Sequence, residues 1–247
     1  MKVILSPAKK MISADDDFTA EGKPVYLKKA LRLREYLEQM TPQERKELWN
    51  CSDKLAAACE YTFQHTDPAR GISPAVFSYS GLAYQHLAAS VMTYDELDWL
   101  REHLRILSGF YGILRPFDGI TEYRLEMQAG IRFGEYTSLY EYWGDDLYRA
   151  LEDHCIVDLA SKEYSAAVRP YVTAADRYIE IIFGEEKNGK VIQKGTYAKA
   201  LRGAMVRWMA ENGTEEPEDL KNFDRGAYYA PEYSGDNVYV FLYGKQR

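Results

Sequence analysis

The chain has 247 residues, 46% of them hydrophobic and 28% charged, a balance that excludes a largely disordered protein. A chain this long buries roughly three quarters of its unfolded surface, so a substantial core is available. The formal charge of −7 excludes a surface coated in positive charge, and any nucleic-acid contact has to be local.

The elements read in chain order as follows. Residues 2–5 form a short apolar strand ended by Ser6-Pro7. Its run Val3-Ile4-Leu5 is too short for a signal-peptide core or a membrane span, so a cytoplasmic location without membrane contact is expected. Leu27, Leu31, Leu33 and Leu37 recur at helical spacing, which predicts a helix over 25–40. Thr41-Pro42-Gln43-Glu44 carries the cap, the first-turn proline and the returning glutamate of a second helix start. The same Thr/Ser-x-x-Glu pattern recurs at Thr93 and Ser138, the latter leading into a stripe of Leu139, Trp143 and Leu147. Strands are predicted at 105–108, 155–159, 178–183, 191–194 and 238–243. Asn188-Gly189 marks a hairpin turn, and a helix follows over 195–211. No linker, repeat or low-complexity tract interrupts the chain. The expected fold is one domain over 1–247, of mixed α/β or α+β class, with a mixed sheet covered by helices.

Cys51, Cys59 and Cys155 form no C-x-x-C pair, and His65, His86, His103 and His154 are scattered. No metal site and no cofactor are expected from them, and the thiols read as reduced, small apolar side chains. Between residues 187 and 210 lie six basic residues and no acidic one, a strip that favours a focused anion site.

Several segments carry chemistry. Ser6 and Lys9 follow the first strand, at the carboxyl edge where α/β proteins hold ligands. Lys9 suits a phosphate, or it is a solvated lysine after a turn. Gly109 and Gly112, with Arg115 after them, admit either close ligand approach or a tight packing turn. In Tyr123-Arg124-Leu125-Glu126 a strand would set Arg124 and Glu126 on one face, to grip an anion and move a proton or to form a structural ion pair. Lys199 and Arg202 share a helix face, with Gly203 beside them leaving room for close approach. Tyr111, Tyr123 and Tyr197 lie beside these motifs and offer rings for stacking unpaired bases.

The segments Leu5-Ser6-Pro7-Ala8-Lys9, Leu107 through Pro116, Tyr123-Arg124-Leu125-Glu126-Met127, Leu139-Tyr140-Glu141-Tyr142-Trp143, Leu159-Ala160-Ser161-Lys162-Glu163-Tyr164 and Arg202-Gly203-Ala204-Met205 occur in this order along the chain. Together they resemble the YaaA family of bacterial peroxide stress resistance proteins. The resemblance implies a compact domain with a positively charged cleft, a helix-hairpin-helix element, binding to double-stranded or distorted DNA, and a role in limiting peroxide damage. The helix-hairpin-helix maps best onto residues 41–63, with Lys54 adding charge after the hairpin; Asn50 and Ser52 stand where such hairpins commonly have glycine. The phosphate-binding candidates are thus Lys9, Lys54, Arg115, Arg124, Lys199 and Arg202, and the catalytic candidates Ser6, Tyr111 and Glu126. The alternative to DNA binding is a nucleotide- or base-processing enzyme such as an N-glycosidic bond hydrolase. This chain departs from the family pattern at Leu82, where an aspartate is usual, and at Tyr243, where an arginine is usual.

Overall fold

A computed structural model gives the architecture and describes residues 1–12 and 18–244. The strands are β1 (Lys2–Leu5), β2 (Ser73–Pro74), β3 (Leu104–Ser108), β4 (Gly112–Leu114), β5 (Gly119–Ile120), β6 (Cys155–Asp158), β7 (Arg177–Lys187), β8 (Lys190–Ile192), β9 (Tyr228–Tyr229) and β10 (Val238–Leu242). The α-helices are α1 (Leu27–Gln39), α2 (Pro42–Trp49), α3 (Asp53–His65), α4 (Ala75–Ser78), α5 (Leu82–Leu87), α6 (Tyr94–His103), α7 (Leu139–Trp143), α8 (Asp146–Arg149), α9 (Lys162–Ser165) and α10 (Gly195–Glu211).

One mixed sheet runs in the order β4-β3-β1-β6-β7-β10-β9, with β8 paired onto β7. Its centre, from β3 to β10, is parallel, and β4, β8 and β9 add antiparallel pairs. Val3, Ile4, Leu5 and all of β3 are buried, which requires cover on both faces of the sheet and explains the unbroken apolar runs. The chain is therefore a single domain of mixed α/β class. It lays β3 on one side of β1 and later returns to lay β6 on the other. That reversal makes a switch point, where the loops leaving the carboxyl ends of β1 and β6 diverge and open a crevice.

Capping chemistry sets the helix starts. The Thr41 hydroxyl accepts from the Glu44 amide at 3.3 Å while the Glu44 carboxylate accepts from the Thr41 amide at 2.7 Å, and Thr93 with Glu96 repeats the arrangement. Ser138 accepts from the Glu141 amide at 3.2 Å, but the Glu141 carboxylate turns one residue back, to the amide and hydroxyl of Thr137. The predicted stripe from Leu139 to Leu147 is divided between α7 and α8, because Gly144 takes a φ of +53° and ends α7. Asn188 and Gly189 have φ of +55° and +72°, the left-handed pair that joins β7 to β8. Residues 123–126 form no ladder, although Leu125 and Met127 are buried and Arg124 and Glu126 only partly so. The expected alternation holds without a strand.

The helices α2 and α3 form a hairpin through Asn50, Cys51 and Ser52, with Asn50 left-handed at a φ of +43°. Lys46 is ion-paired with Asp53 across it. No helix among the described residues is long and apolar enough to cross a membrane.

Candidate functional site

A cavity of about 370 Å³ occupies the switch-point crevice. Ser6, Pro7, Ala8 and Lys9 enter it from the end of β1, and Leu159 and Ser161 from the end of β6. The two loops are tied together: the Ser161 amide donates to Ser6 Oγ at 2.8 Å, and Ser6 Oγ donates to Ser161 Oγ at 3.2 Å. From the next layer, the Tyr84 hydroxyl donates to the Ser6 carbonyl at 2.9 Å. Ser6 thus braces the crevice. Its hydroxyl hydrogen bonds go to Ser161 rather than to a histidine or carboxylate, so the pairing that activates a nucleophilic serine is not seen among the described residues.

Lys9, Arg124, Lys199 and Arg202 all line this one cavity, although they come from three distant parts of the chain. Lys10 joins them, and the carboxylates in the wall are Glu126 and Glu163. Glu126 is held between cations, with Lys9 Nζ at 2.7 Å and Arg124 Nη2 at 3.5 Å. Arg124 also donates through Nε to the Trp49 carbonyl at 3.3 Å, the last residue of α2. The crevice and the helical hairpin are therefore mechanically joined by one guanidinium.

Arg202 is the least satisfied of these groups. Its Nε is buried and has no hydrogen-bond partner, and it forms no ion pair within 4 Å among the described residues. Burial pulls its guanidinium below the ordinary value, with Asp158 and Glu180 nearby opposing that effect. Asp158 lies at the end of β6, with its carboxylate accepting from Tyr178 Oη at 2.7 Å and the Ala160 amide at 2.8 Å, and burial pushes its carboxyl up. A cation withdrawn from water with an open hydrogen-bonding edge is poised for an anion. Tyr84, Tyr123 and Tyr164 also line the cavity. Burial raises all three phenols, so each remains a neutral donor.

Other candidates are not brought here. Arg115 is exposed in a separate cleft with Arg105 and Arg149, because β4 runs back along β3 and delivers it to the amino edge of the sheet. Lys54 is exposed in the first turn of α3, outside the cavity wall. Tyr111 is 0% exposed, its hydroxyl bound to Thr121, so it touches no ligand in this conformation. Tyr197 stacks on Tyr243 elsewhere. The basic strip is not continuous: Lys194 pairs with Glu185 and Arg207 with Glu211, leaving Lys199 and Arg202 as its contribution to the cavity.

The motif glycines serve packing. A Cβ on Gly109 would sit 2.5 Å from the Leu125 carbonyl oxygen, and one on Gly112 2.8 Å from the Trp143 ring. At Gly203 it would meet the Ala83 carbonyl oxygen at 1.8 Å, so the close approach there is of α10 to α5. Leu82, where the resemblance led to the expectation of an aspartate, is in the cavity wall, so that position adds no carboxylate to it. Sequence reasoning passed over Lys10, Ser161 and Tyr164, the last two inside the Leu159-to-Tyr164 motif that already pointed to them.

Cys51, Cys59 and Cys155 are free and half-buried. Burial raises the Cys59 and Cys155 thiols, away from the thiolate that reacts with oxidants. Among the described residues, no group of three or more His, Cys, Asp or Glu side chains could hold a metal ion.

Comparison with known proteins agrees along nearly the full length. The family described as "Peroxide stress protein YaaA" matches residues 1–233. A UPF0246 protein of Agathobacter rectalis is 46% identical over 244 residues, covering 98% of both chains. UPF0246 proteins of Desulfitobacterium hafniense and Pediococcus pentosaceus are 44% and 46% identical over 245 residues, each again covering 98% of both chains. The chain belongs to the peroxide stress protein YaaA family.

Proposed function

We propose that this chain binds DNA as part of the peroxide stress response, holding backbone phosphate of double-stranded or distorted DNA in the switch-point cavity. The observation that carries this reading is Arg202, whose buried Nε has no partner, beside the exposed Lys199 on the same wall. An unpaired buried guanidinium costs the fold stability and is satisfied by a phosphate oxygen. An entering phosphate would also draw Lys9 from Glu126, since Lys9 is the more exposed partner of that pair, at 65% against 28%. The α2–α3 hairpin would flank the DNA, with Lys54 contributing a peripheral phosphate contact.

The test is a titration of duplex and bubble DNA by fluorescence anisotropy. Lys199→Glu combined with Arg202→Glu should weaken binding at least tenfold; unchanged affinity would remove the cavity from the interface.

A second reading, hydrolysis of an N-glycosidic bond, is favoured by the position of Glu126, a carboxylate held by two cations inside a cavity rather than on an open surface. Glu126 would orient or deprotonate the attacking water. Release of free base from nucleotides or damaged DNA would support this role, provided Glu126→Gln suppresses it at unchanged DNA affinity.

A further inference from the structure

A second cavity of about 180 Å³ adjoins the first and shares Lys9, Lys10, Tyr123 and Arg124 with it as a common wall. Its character is different. Trp49, Phe63 and Phe110 supply rings, and Leu37, Leu55 and Ala58 supply aliphatic surface. A single carboxylate, Glu122, stands in this wall, and it has no ion-pair partner within 4 Å among the described residues. One chamber is thus largely aromatic and aliphatic, with Glu122 its one carboxylate and with Arg34, bound to Glu38 and the Phe63 carbonyl, and the shared cations at its edge, whereas its neighbour adds Lys199 and Arg202.

We propose that the two chambers form one site for a single nucleotide unit, with phosphate at Lys199 and Arg202 and the base in the apolar chamber, where Glu122 accepts from its exocyclic amino group. This assignment rests on the reading of the first cavity as a phosphate site. Three features select this ligand class. A free phosphate leaves the apolar chamber empty, and an acyl-chain phosphate leaves Glu122 facing hydrocarbon without a donor. A planar heteroaromatic ring meets the rings of the wall, and its amino group meets the carboxylate. Glu122, acceptor-only when ionised, favours cytosine over uracil, which presents a carbonyl at the same place. Lys9 and Lys10 are exposed side chains that can move aside, while Tyr123, bound to Tyr79 and Ser108, and Arg124, bound to Trp49, form the fixed part of the partition. In DNA the ligand would be an unpaired nucleotide turned out of the stack.

The experiment uses the full chain and measures binding of CMP, UMP and ribose 5-phosphate by calorimetry. CMP is expected to bind about tenfold tighter than UMP, and Glu122→Gln to erase that preference, since an amide side chain presents either a donor or an acceptor. Ala58→Trp fills the apolar chamber from an exposed helix position, and should bring CMP down to the level of ribose 5-phosphate. Leu55→Glu, also exposed at 42%, should do the same, and circular dichroism of both variants checks the fold. Equal affinity for CMP and ribose 5-phosphate, or a CMP preference that survives Glu122→Gln, overturns the proposal. Duplexes with one bulged cytosine or one bulged thymine then distinguish the source. A cytosine preference that appears in the bulge as well as among free nucleotides assigns the site to DNA, and one confined to the free nucleotides assigns it to the free nucleotide. If Ala58→Trp leaves duplex binding intact while charge reversal at Lys199 and Arg202 abolishes it, the phosphate site stands and the base chamber falls. If neither change affects duplex binding, both readings fall.

Discussion

Under the proposed function, Arg202 is a residue kept at a cost to the fold. Removing a guanidinium from water without giving its Nε a partner is unfavourable, and a methionine of similar reach fills the same space with no such cost. Arg202→Met should therefore unfold in urea at a midpoint no lower than the parent while DNA affinity falls at least tenfold. A loss of more than about 1 kcal/mol would instead assign Arg202 to the fold, through its attraction to Asp158. Asp118 carries the opposite kind of tension in the amino-edge cleft. Burial pushes its carboxyl up to about 6 despite the Arg115 amide donating to it at 2.8 Å and the Arg115 and Arg105 charges nearby. Its folded state thus holds a proton more tightly than the unfolded chain does. The stabilisation from that proton is complete below the unfolded value of 3.8 and is lost as pH rises through about 6. Compared with Asp118→Asn, the parent should gain about 2 kcal/mol between pH 7 and pH 4. Urea unfolding at both pH values measures this, and a pH-independent difference between the two proteins would show that folding leaves the proton affinity of Asp118 unchanged.

At the scale of elements, the placement of Lys199 and Arg202 depends on how closely α10 lies on α5. The Ala83 carbonyl oxygen fills the space a Cβ at Gly203 would need, so Gly203→Ala has to push the two helices apart. Overpacking against backbone falls at the upper end of such costs, about 3 kcal/mol, and the displaced helix should lose phosphate affinity as well. A drop below 1 kcal/mol in urea unfolding would mean the helices adjust freely. This glycine also shows where sequence reading reaches its limit. The spacing of Lys199, Arg202 and Gly203 put the cations on one face correctly, because helical geometry is local. Whether the space at Gly203 faces a ligand or a second helix is a tertiary fact, and spacing is silent on it. That Arg115 lies outside the switch-point cavity is a tertiary fact of the same kind: nothing in Leu107 through Pro116 says that β4 turns back along β3. Lys9 was legible because a strand that begins the chain and ends in Ser6-Pro7 delivers the next residues to the carboxyl edge of a parallel sheet. Its meeting with Arg124 and Glu126 depends on pairings more than a hundred residues apart, and only the fold supplies those.

The whole molecule limits the form that the proposed DNA binding can take. A body with a formal charge of −7 repels a duplex everywhere except where cations are gathered. In the cavity, Lys10, Lys199 and Arg202 have no ion-pair partner within 4 Å among the described residues, whereas Lys9 and Arg124 share Glu126. About three phosphates should therefore be neutralised in the cavity and one more at Lys54, which gives log K against log salt a slope of about −3 to −4 by counterion release. Salt also screens the repulsion from the acidic surface, an effect of opposite sign, so the measured slope should lie between about −2 and −3. Lys199→Glu with Arg202→Glu should bring it to near zero or reverse its sign, since little then remains but the repulsion. A slope steeper than about −5 would require an extended basic track along the surface. The pairing of Lys194 and Arg207 with acidic neighbours argues against such a track, and a steep slope would therefore place the DNA on a different face from the cavity.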